Sequence, residues 1–235
     1  MSYGGIEKLA KGSTGFNYRY SYFYKNCRTM RKLSLLIVHL FVFTCLGYAQ
    51  TVTIGDQVWM TKNLNVDTFR NGDRIPEAKT EGEWKAYAQA DEAAWCYYDN
   101  DPNNGEKYGK LYNWHAVNDP RGLAPNGMHI PNDEDWTQLI NFLGGIEKAG
   151  VKMKSKSGWM NDGVGTNSSG FLGFPGGGRN LLGGFYDIGK RGSWWTSTES
   201  TWYYGSYIFL YYEYGKVFKD GHGKAYGFSV RCIKD

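Results

Sequence analysis

Residues 127–143 have the sequence GMHIPNDEDWTQLINFL, which predicts an extended segment followed by a capped α-helix. Pro131 disfavours helical geometry at the residue before it, and Asn132 is a suitable N-cap with an acidic residue, Asp135, three positions later. Apolar residues follow at positions i, i+3, i+4 and i+7, namely Trp136, Leu139, Ile140 and Leu143. We therefore expect one helix face to be buried against the C-terminal part of the chain, and Gly144-Gly145 to end the helix.

Three acidic residues, Asp133, Glu134 and Asp135, open this helix and could be taken for a metal-binding cluster. Negative charge in the first helical turn is stabilised by the helix dipole, and capping accounts for these carboxylates without a ligand. We interpret the stretch as a marker of the fold rather than as a chemical site.

The first 49 residues predict export. A basic start, Met30-Arg31-Lys32, precedes an apolar run and a small-residue exit at Ala49, which is the plan of a secretory signal peptide over residues 30–49. Residues 1–29 contain no capped periodic segment, and we interpret them as an unstructured extension from an upstream start. The mature protein is then a single domain, residues 50–235, in the periplasm, at the outer cell surface or outside the cell.

A retained membrane anchor is the alternative to cleavage, because residues 33–49 reach the lower limit of length for crossing a bilayer. Lipidation of Cys45 is disfavoured, since Val42-Phe43-Thr44 before it differs from the pattern that lipoproteins use. Membrane contact is therefore expected only through an uncleaved signal segment.

The positive charge of the chain belongs to its leader. Of 27 Lys and Arg residues seven lie in residues 1–49, against one of 23 acidic residues, so residues 50–235 carry 20 basic and 22 acidic side chains. We therefore do not expect a nucleic-acid partner, because nucleic acids bind to basic surfaces.

Two of the four cysteines, Cys96 and Cys232, lie in the mature domain. An even pair in an exported chain favours one disulfide that closes most of the domain into a loop. Two buried free thiols are the alternative.

The N-terminal half of the domain predicts a hairpin and three helices. Residues 51–60 alternate around Gly55-Asp56 and predict an opening hairpin. The capping box Thr80 to Glu83 begins a helix to about residue 90, and residues 95–98 predict a short buried strand. Helical spacing then predicts a second helix over residues 109–117, before the capped helix that follows Pro131.

The polar loop 99–106 has oxygen-bearing side chains at alternate positions, including Asp99, Asp101 and Asn103. Calcium could bind there, but the glycine is one place late and Lys110 stands where the bidentate acid of a calcium loop is needed. A plain turn-rich loop is the favoured interpretation, and no cofactor is predicted.

Residues 163–184 are dense in glycine and lack a phosphate-binding motif, so we expect loops. Alternation of aromatic and β-branched residues then predicts strands within residues 193–198, 203–214, 216–219 and 227–233. The order of elements, a hairpin, helices, loops and a meander of strands, defines an α+β fold.

No catalytic residues are predicted. The three histidines of the domain, His115, His129 and His222, occur in no motif of a metal site or a catalytic triad. An enzyme that acts on envelope polysaccharide is a weaker alternative, with Asp187 and Glu199 as acid and base.

Aromatic residues crowd the C-terminal third beyond what short strands are expected to bury. Exposed rings next to polar side chains bind sugars by stacking, and they also form protein interfaces. A large aromatic core is an equal alternative. The candidate ligand-binding residues are Trp194, Trp195, Trp202, Tyr203, Tyr204, Tyr207 and Tyr212, with Arg179 and Asn180 from the glycine-rich stretch.

Several phrases resemble the Fibrobacter succinogenes major paralogous domain family in the family's order. They are VWMTKNLNV (58–66), GKLYNW (109–114), PNGMHIP (125–131) with EDW (134–136), GF (170–171) leading to PGG (175–177), WWTST (194–198) and SVRC (229–232). The resemblance covers about residues 52–235. It implies an exported protein of Bacteroidetes or Fibrobacteres and carries no assigned biochemical activity.

The family is distantly similar to the C-type-lectin-like fold of formylglycine-generating enzymes, whose Leu-Pro-Thr-x-x-Glu-Trp phrase resembles residues 130–136. That similarity implies short helices packed on a twisted antiparallel sheet with long glycine-rich loops. Ala124 and Met128 stand where many members have Cys and Trp, and the catalytic cysteines of those enzymes have no counterpart. We therefore expect an exported, non-enzymatic module that binds a glycan or a surface protein, or else a purely structural surface module.

Overall fold

The computed structural model describes residues 50–163 and 165–235, which belong to one compact unit that starts at Ala49. The signal-peptide and extension predictions for residues 1–49 lie outside the described residues. The strands are β1 (Thr51–Ile54), β2 (Gln57–Met60), β3 (Trp95–Cys96), β4 (Leu111–Tyr112), β5 (Met128–His129), β6 (Gly176–Arg179), β7 (Phe185–Ile188), β8 (Arg191–Thr201), β9 (Tyr204–Tyr211), β10 (Val217–Gly223) and β11 (Ile233–Lys234). The helices are α1 (Glu81–Gln89), α2 (Asn103–Tyr108), α3 (Trp114–Val117), α4 (Asp133–Phe142) and α5 (Ile146–Met153), with 3₁₀ turns at Tyr98–Asn100 and Met160–Asp162.

These strands form three sheets. The largest has the order β10-β9-β8-β6-β7, a second has the order β1-β2-β11-β5, and β3 pairs with β4. Neighbouring strands are antiparallel except β6 and β8, which run parallel with Gly177 opposite Gly192. Because helices and a mostly antiparallel set of sheets alternate irregularly along the chain, the fold is α+β, as the sequence predicts.

Helix α4 forms as predicted. The Asn132 side chain accepts hydrogen bonds from the Glu134 and Asp135 amides, and the Asp135 carboxylate accepts one from the Asn132 amide, so the capping box is complete. Gly144 follows with a φ of 101°, which ends the helix at a conformation that favours glycine. The capping box of α1, between Thr80 and Glu83, is also confirmed.

The buried face of α4 packs beneath the largest sheet. Trp136 is completely buried, and its ring lies 4.8 Å from Trp59 and 6.5 Å from Trp194 by centroid distance. Burial of such a side chain stabilises the fold by roughly 3–5 kcal/mol, judged by the cost of truncating a core tryptophan to alanine. The helix therefore joins the N-terminal hairpin to the C-terminal strands.

Three buried cations are held by backbone carbonyl groups. Lys154 donates to the carbonyls of residues 211, 212 and 214, and Arg179 donates to those of residues 78, 80 and 183. Arg231 donates to the carbonyls of Met60 and Phe171 and to the Asn63 side chain. Buried charges are tolerated when they are hydrogen-bonded, and these three fasten loops that have little apolar surface of their own.

The second helix is predicted wrongly. Residues 111–112 form strand β4 and α3 is limited to Trp114–Val117, whereas α2 forms in the loop expected at 99–106. The Tyr112 amide donates to the Phe228 carbonyl, and the Tyr112 hydroxyl donates to the Val66 carbonyl at 2.6 Å. These long-range bonds outweigh the helical spacing, which is a weak preference.

Two further predictions for the glycine-rich half need correction. Helix α5 follows Gly145 where the sequence analysis expects no helix, and residues 176–179 form a strand rather than a loop. A Cβ atom on Gly178 would lie 3.0 Å from the Tyr186 ring. Glycine is needed there because β6 and β7 approach closely, not because the backbone turns.

The predicted disulfide is absent from the described residues. Cys96 and Cys232 are both free and buried, and they pack in different hydrophobic clusters. Burial raises the pKa of each thiol to about 12, so both are uncharged at neutral pH. The alternative of two buried free thiols is the one that the structure supports.

Candidate functional site

The aromatic residues predicted to bind a ligand divide into buried and exposed groups. Trp194 and Trp195 are 0% exposed, and Tyr207 is 2% exposed. The Trp194 indole donates to the Asn63 side chain, and the Trp195 indole donates to the Tyr112 carbonyl, both at 2.8 Å. These three side chains are core residues in the structure, and ligand contact through them stays a prediction.

Arg179, Asn180 and Tyr212 also have structural partners. Arg179 is fully buried and stacks on Trp84, with its guanidinium carbon 4.7 Å from the ring centroid. The Asn180 side chain accepts bonds from the amides of residues 182 and 184 and so closes the turn between β6 and β7. Tyr212 is half-buried and its hydroxyl donates to Glu213. Buried Arg179 therefore cannot be a surface ligand contact.

The exposed group lies where β8 turns into β9: Trp202 and Tyr203 form the turn and Tyr204 begins β9, and we call these three residues the aromatic tip. Their exposed fractions are 71%, 58% and 48%, and the Trp202 and Tyr203 ring centroids lie 3.2 Å apart. The Tyr204 amide donates to the Thr201 hydroxyl at 3.2 Å, which tightens the turn. Three consecutive large rings are thus held in solvent by a short, hydrogen-bonded hairpin.

Polar side chains lie beside the aromatic tip. Glu199 on β8 forms an ion pair with Lys224, whose amide donates to the Tyr203 carbonyl at 3.2 Å. The rings of His222 and Tyr226 lie 3.7 Å apart on the neighbouring strand and loop. Burial lowers the pKa of His222, whose Nδ1 accepts from the Gly223 amide at 2.9 Å, so its Nε2–H is left to donate a hydrogen bond.

A rigid base supports the tip. The Trp114 indole donates to the Thr196 carbonyl at 3.2 Å, and its ring packs directly against Gly205 at the start of β9. A Cβ atom at Gly205 would collide with that ring, so glycine is required there. Lys224 lies over the other part of Trp114, with its Nζ 4.7 Å from the ring centroid. The tip is therefore anchored on α3 rather than free to fold back.

The tip residues were among the predicted ligand-binding residues. Lys224, His222 and Tyr226, which lie beside the tip, were not predicted as part of the site. They follow the tip by about twenty residues and reach it because β10 pairs with β9, placing Gly221 opposite Ser206 and Gly223 opposite Tyr204. The alternation of residues 203–219 signals that pairing in the sequence, but the register that selects these neighbours is set in three dimensions.

The carboxylates considered for catalysis are far apart. Asp187 lies next to the start of β8, where its carbonyl accepts from the Lys190 amide, whereas Glu199 lies near the other end of that strand. Eight residues of strand separate Arg191 from Glu199, which is roughly 25 Å at about 3.3 Å per residue. Paired glycosidase carboxylates lie about 5–10 Å apart, so these two cannot act as acid and base together.

Asp101 forms a local turn immediately before α2, whose N-cap is Pro102. One of its carboxylate oxygens accepts bonds from the Asn103 amide and side chain, both at 2.9 Å, and Asp99 precedes it with a φ of 54°. Among the residues that the structure describes, no group of three or more His, Cys, Asp or Glu side chains is placed to hold a metal ion. Calcium binding at Asp99, Asp101 and Asn103 stays a prediction.

The remaining histidines contact nearby carboxylates. His115 is half-buried and lies 3.5 Å from Asp91, and burial lowers its pKa. His129 bridges Asp135 and Asp235 at 3.4 and 2.8 Å, which links α4 to the C-terminus. Among the described residues, the partners of these two rings are the carboxylates of Asp91, Asp135 and Asp235.

Fold and site together define an α+β domain that presents an anchored aromatic hairpin. Residues 52–234 match the sequence model of the Fibrobacter succinogenes major domain, and since the match covers more than half of the chain, the chain belongs to that family. No curated protein and no solved structure matches the chain. Across residues 50–163 and 165–235, no helix has the length and apolarity needed to cross a membrane.

Proposed function

We propose that this protein is an exported, non-enzymatic binding module with a C-type-lectin-like fold, which holds a glycan through its aromatic tip. The observation that carries the proposal is the exposure of three consecutive large rings, 71%, 58% and 48%, in a domain whose other tryptophans lie in the core. A protein gains no stability from rings held in water, so their placement favours a binding role.

The chemistry of the tip suits a sugar. Aromatic rings stack on the apolar faces of pyranose rings, and Trp and Tyr offer large contact areas at little cost in side-chain entropy. The Glu199 carboxylate, the Lys224 ammonium and the neutral His222 ring supply hydrogen-bond acceptors and donors for hydroxyl groups. Stacking together with such bonds is sufficient for recognition and needs no catalytic group.

A glycan is favoured over a surface protein because the tip is narrow. A stable protein complex buries about 800 Å² on each partner, whereas three adjacent rings on one hairpin turn offer a smaller contact. Hydrolysis by Asp187 and Glu199 has no geometric support, because Asp187 lies on β7 next to the start of β8 and Glu199 lies near the other end of β8. Export rests on the signal peptide predicted at residues 30–49.

The test is a glycan array followed by titration calorimetry with the best ligand. Trp202→Ala and Tyr204→Ala are each expected to weaken binding about tenfold or more, the loss of roughly 1–3 kcal/mol that ring stacking provides. Tyr214→Ala is the matched control, because Tyr214 is also 48% exposed but lies beyond the opposite end of β9.

Glycan binding that survives both tip substitutions would contradict the assignment of the site. Absence of glycan binding, combined with capture of a purified surface protein that depends on Trp202, would move the proposal to a protein partner. A purely structural module would bind neither.

A further inference from the structure

A second concave surface lies away from the tip residues. A cleft of about 390 Å³ is bounded by residues 61–63, by α2 and by residues 172–174, and Arg231 lies at its base. It continues into a space of about 340 Å³ that shares Lys62, Asn63, Glu106 and Lys107 with it. The volume falls within the range of small-molecule sites, and no residue of the aromatic tip lines it.

Positive charge predominates in this cleft. Lys62, Lys107 and Arg231 line it together with one carboxylate, Glu106. None of the three cations forms an ion pair with another described residue. A concave surface with unpaired cations concentrates the field and attracts anions.

Arg231 is 1% exposed, and one of its five N–H hydrogens has only a long hydrogen bond. Its Nη1 donates to the carbonyls of Met60 and Phe171, and both Nε and Nη2 donate to the Asn63 side-chain oxygen. The remaining Nη2 hydrogen has a single contact, the Leu172 carbonyl at 3.5 Å, which is too long for a strong hydrogen bond. Burial lowers the pKa of this guanidinium to about 9, a cost that a nearby anion would offset.

Leu172, which supplies that weak contact, is strained. Its φ of 56° is uncommon for a residue other than glycine, and its amide is held by the Asn167 side chain at 2.7 Å. Residues kept in such conformations cluster at ligand sites, where the surrounding structure compensates for the strain. Here the strained residue lines the cleft and turns its carbonyl towards Arg231.

The walls of the cleft suit a sugar ring that carries one carboxylate. Phe174 forms an apolar wall, and Lys107 lies near it with its Nζ 5.7 Å from the ring centroid. The Glu106 carboxylate can accept bonds from hydroxyl groups but would repel a doubly charged phosphate. The weakly bonded Nη2 hydrogen of Arg231 and the ammonium groups of Lys62 and Lys107 offer charged donors to a single carboxylate.

We propose that this cleft is a second binding site, one for a uronic acid residue, with the carboxylate held by Arg231, Lys62 and Lys107 and the sugar ring against Phe174. The site uses no residue of the aromatic tip. Its test is therefore independent of whether the tip binds glycan.

The experiment titrates galacturonate into the purified protein and follows the tryptophan indole signals by nuclear magnetic resonance. The Trp194 indole reports on the cleft, because it donates to the same Asn63 oxygen that holds Arg231, and the Trp202 indole reports on the aromatic tip. Both titrations follow the shift of the Trp194 signal. The dissociation constant of galacturonate is expected to be at least about tenfold lower than that of galactose, because a buried charge-assisted hydrogen bond adds to its affinity. Acetate and inorganic phosphate serve as the free-anion comparisons and are expected to bind more weakly.

The variants are Lys62→Gln and Lys107→Gln, both on exposed positions, with Lys148→Gln as the matched control on the exposed face of α5. Each cleft variant is expected to weaken galacturonate binding by up to about fivefold, the range for partly exposed ion pairs, and the control to leave it unchanged. Equal binding of galacturonate and galactose overturns the proposal. So does phosphate binding as tightly as galacturonate, or galacturonate binding that both cleft variants retain.

Discussion

Trp194 and Trp195 are adjacent in the chain, yet their rings lie in different hydrophobic clusters on opposite faces of β8. Successive side chains of a strand point to opposite faces, so both faces of the largest sheet are covered at this point. The Trp194 face packs against Trp136 of α4, and the Trp195 face packs against Phe228 at a centroid distance of 4.5 Å. Strand β8 is therefore covered on both faces at this point, whereas β7 and β10 at the two ends of the sheet are mostly half-buried or exposed.

Asn63 joins that layer to Arg231, which leads to the first prediction. Its side-chain oxygen accepts from the Trp194 indole and from two nitrogens of Arg231, and its nitrogen donates to the Tyr108 carbonyl at 2.8 Å. Asn63→Leu leaves these groups without partners in the interior. We expect a loss of about 3 kcal/mol or more in the free energy of unfolding, measured by chemical denaturation.

Asn65→Leu is the matched control for this variant. Asn65 is exposed, and its single recorded bond, to the Gly105 carbonyl at 3.3 Å, is long. A change of less than about 1 kcal/mol is expected there. Equal effects at the two positions would show that the buried network contributes little.

The fold-deciding helix could be predicted because its signals are local. The N-cap, the first-turn acids and the apolar spacing of residues 132–143 lie within one segment, and each agrees with the others. Residues 111–112 could not be predicted as a strand, because their pairing with residues 95–96 and with Phe228 outweighs a local helical pattern. Strand β6 was missed because glycine in a strand is indistinguishable from glycine in a loop without its neighbours.

The candidate site was predictable only in part for the same reason. Composition identified the aromatic segment, but burial separates Trp194, Trp195 and Tyr207 from the exposed tip, and burial depends on what covers each face of β8. The cationic cleft left no pattern in the sequence, because Lys62, Lys107 and Arg231 are distant along the chain and meet through folding.

The second prediction concerns the cap of α4. Asn132→Ala removes the acceptor for the Glu134 and Asp135 amides. A lost N-cap costs about 1 kcal/mol, so the midpoint of thermal unfolding should fall by a few degrees, on the order of 2–4 °C. Asn141→Ala, an exposed substitution within the same helix, is expected to leave the midpoint unchanged or slightly raised, because alanine has the higher helix propensity. A larger loss at Asn141 than at Asn132 would contradict the role of the cap.

The third prediction concerns Lys154. Its Nζ donates to the Tyr211 and Tyr214 carbonyls, each at 2.6 Å, and burial lowers its pKa to about 8. Lys154→Met removes the cost of burying a charge but leaves the Tyr214 carbonyl without this donor, whereas the Tyr211 carbonyl keeps the Tyr214 amide. We expect the loss of hydrogen bonds to dominate, with a loss of about 2–3 kcal/mol in the free energy of unfolding. Lys152→Met, two residues earlier in α5, is the control in the same denaturation experiment. A more stable Lys154→Met protein would show that the buried charge destabilises the loop.

The fourth prediction distinguishes free thiols from a disulfide. Because Cys96 and Cys232 are buried and free, a thiol reagent should modify neither in the folded protein and both in denaturant without reductant, as counted by mass spectrometry. Two cysteines that stay unreactive in denaturant and react after reduction would mean that the protein forms the disulfide.

The same thiols predict how stability depends on alkaline pH. Burial raises their folded pKa values to about 12, above the value of about 9 expected when unfolded. Between these values the unfolded chain loses thiol protons that the folded chain keeps, so the stabilising contribution is complete below pH 9 and is lost as pH rises.

Each thiol should lower the free energy of unfolding by about 1 kcal/mol per pH unit above 9. The double variant Cys96→Ala, Cys232→Ala should therefore show a shallower decline between pH 9 and 10.5 than the parent protein. Parallel declines would mean that other groups, such as buried tyrosines, account for the alkaline loss.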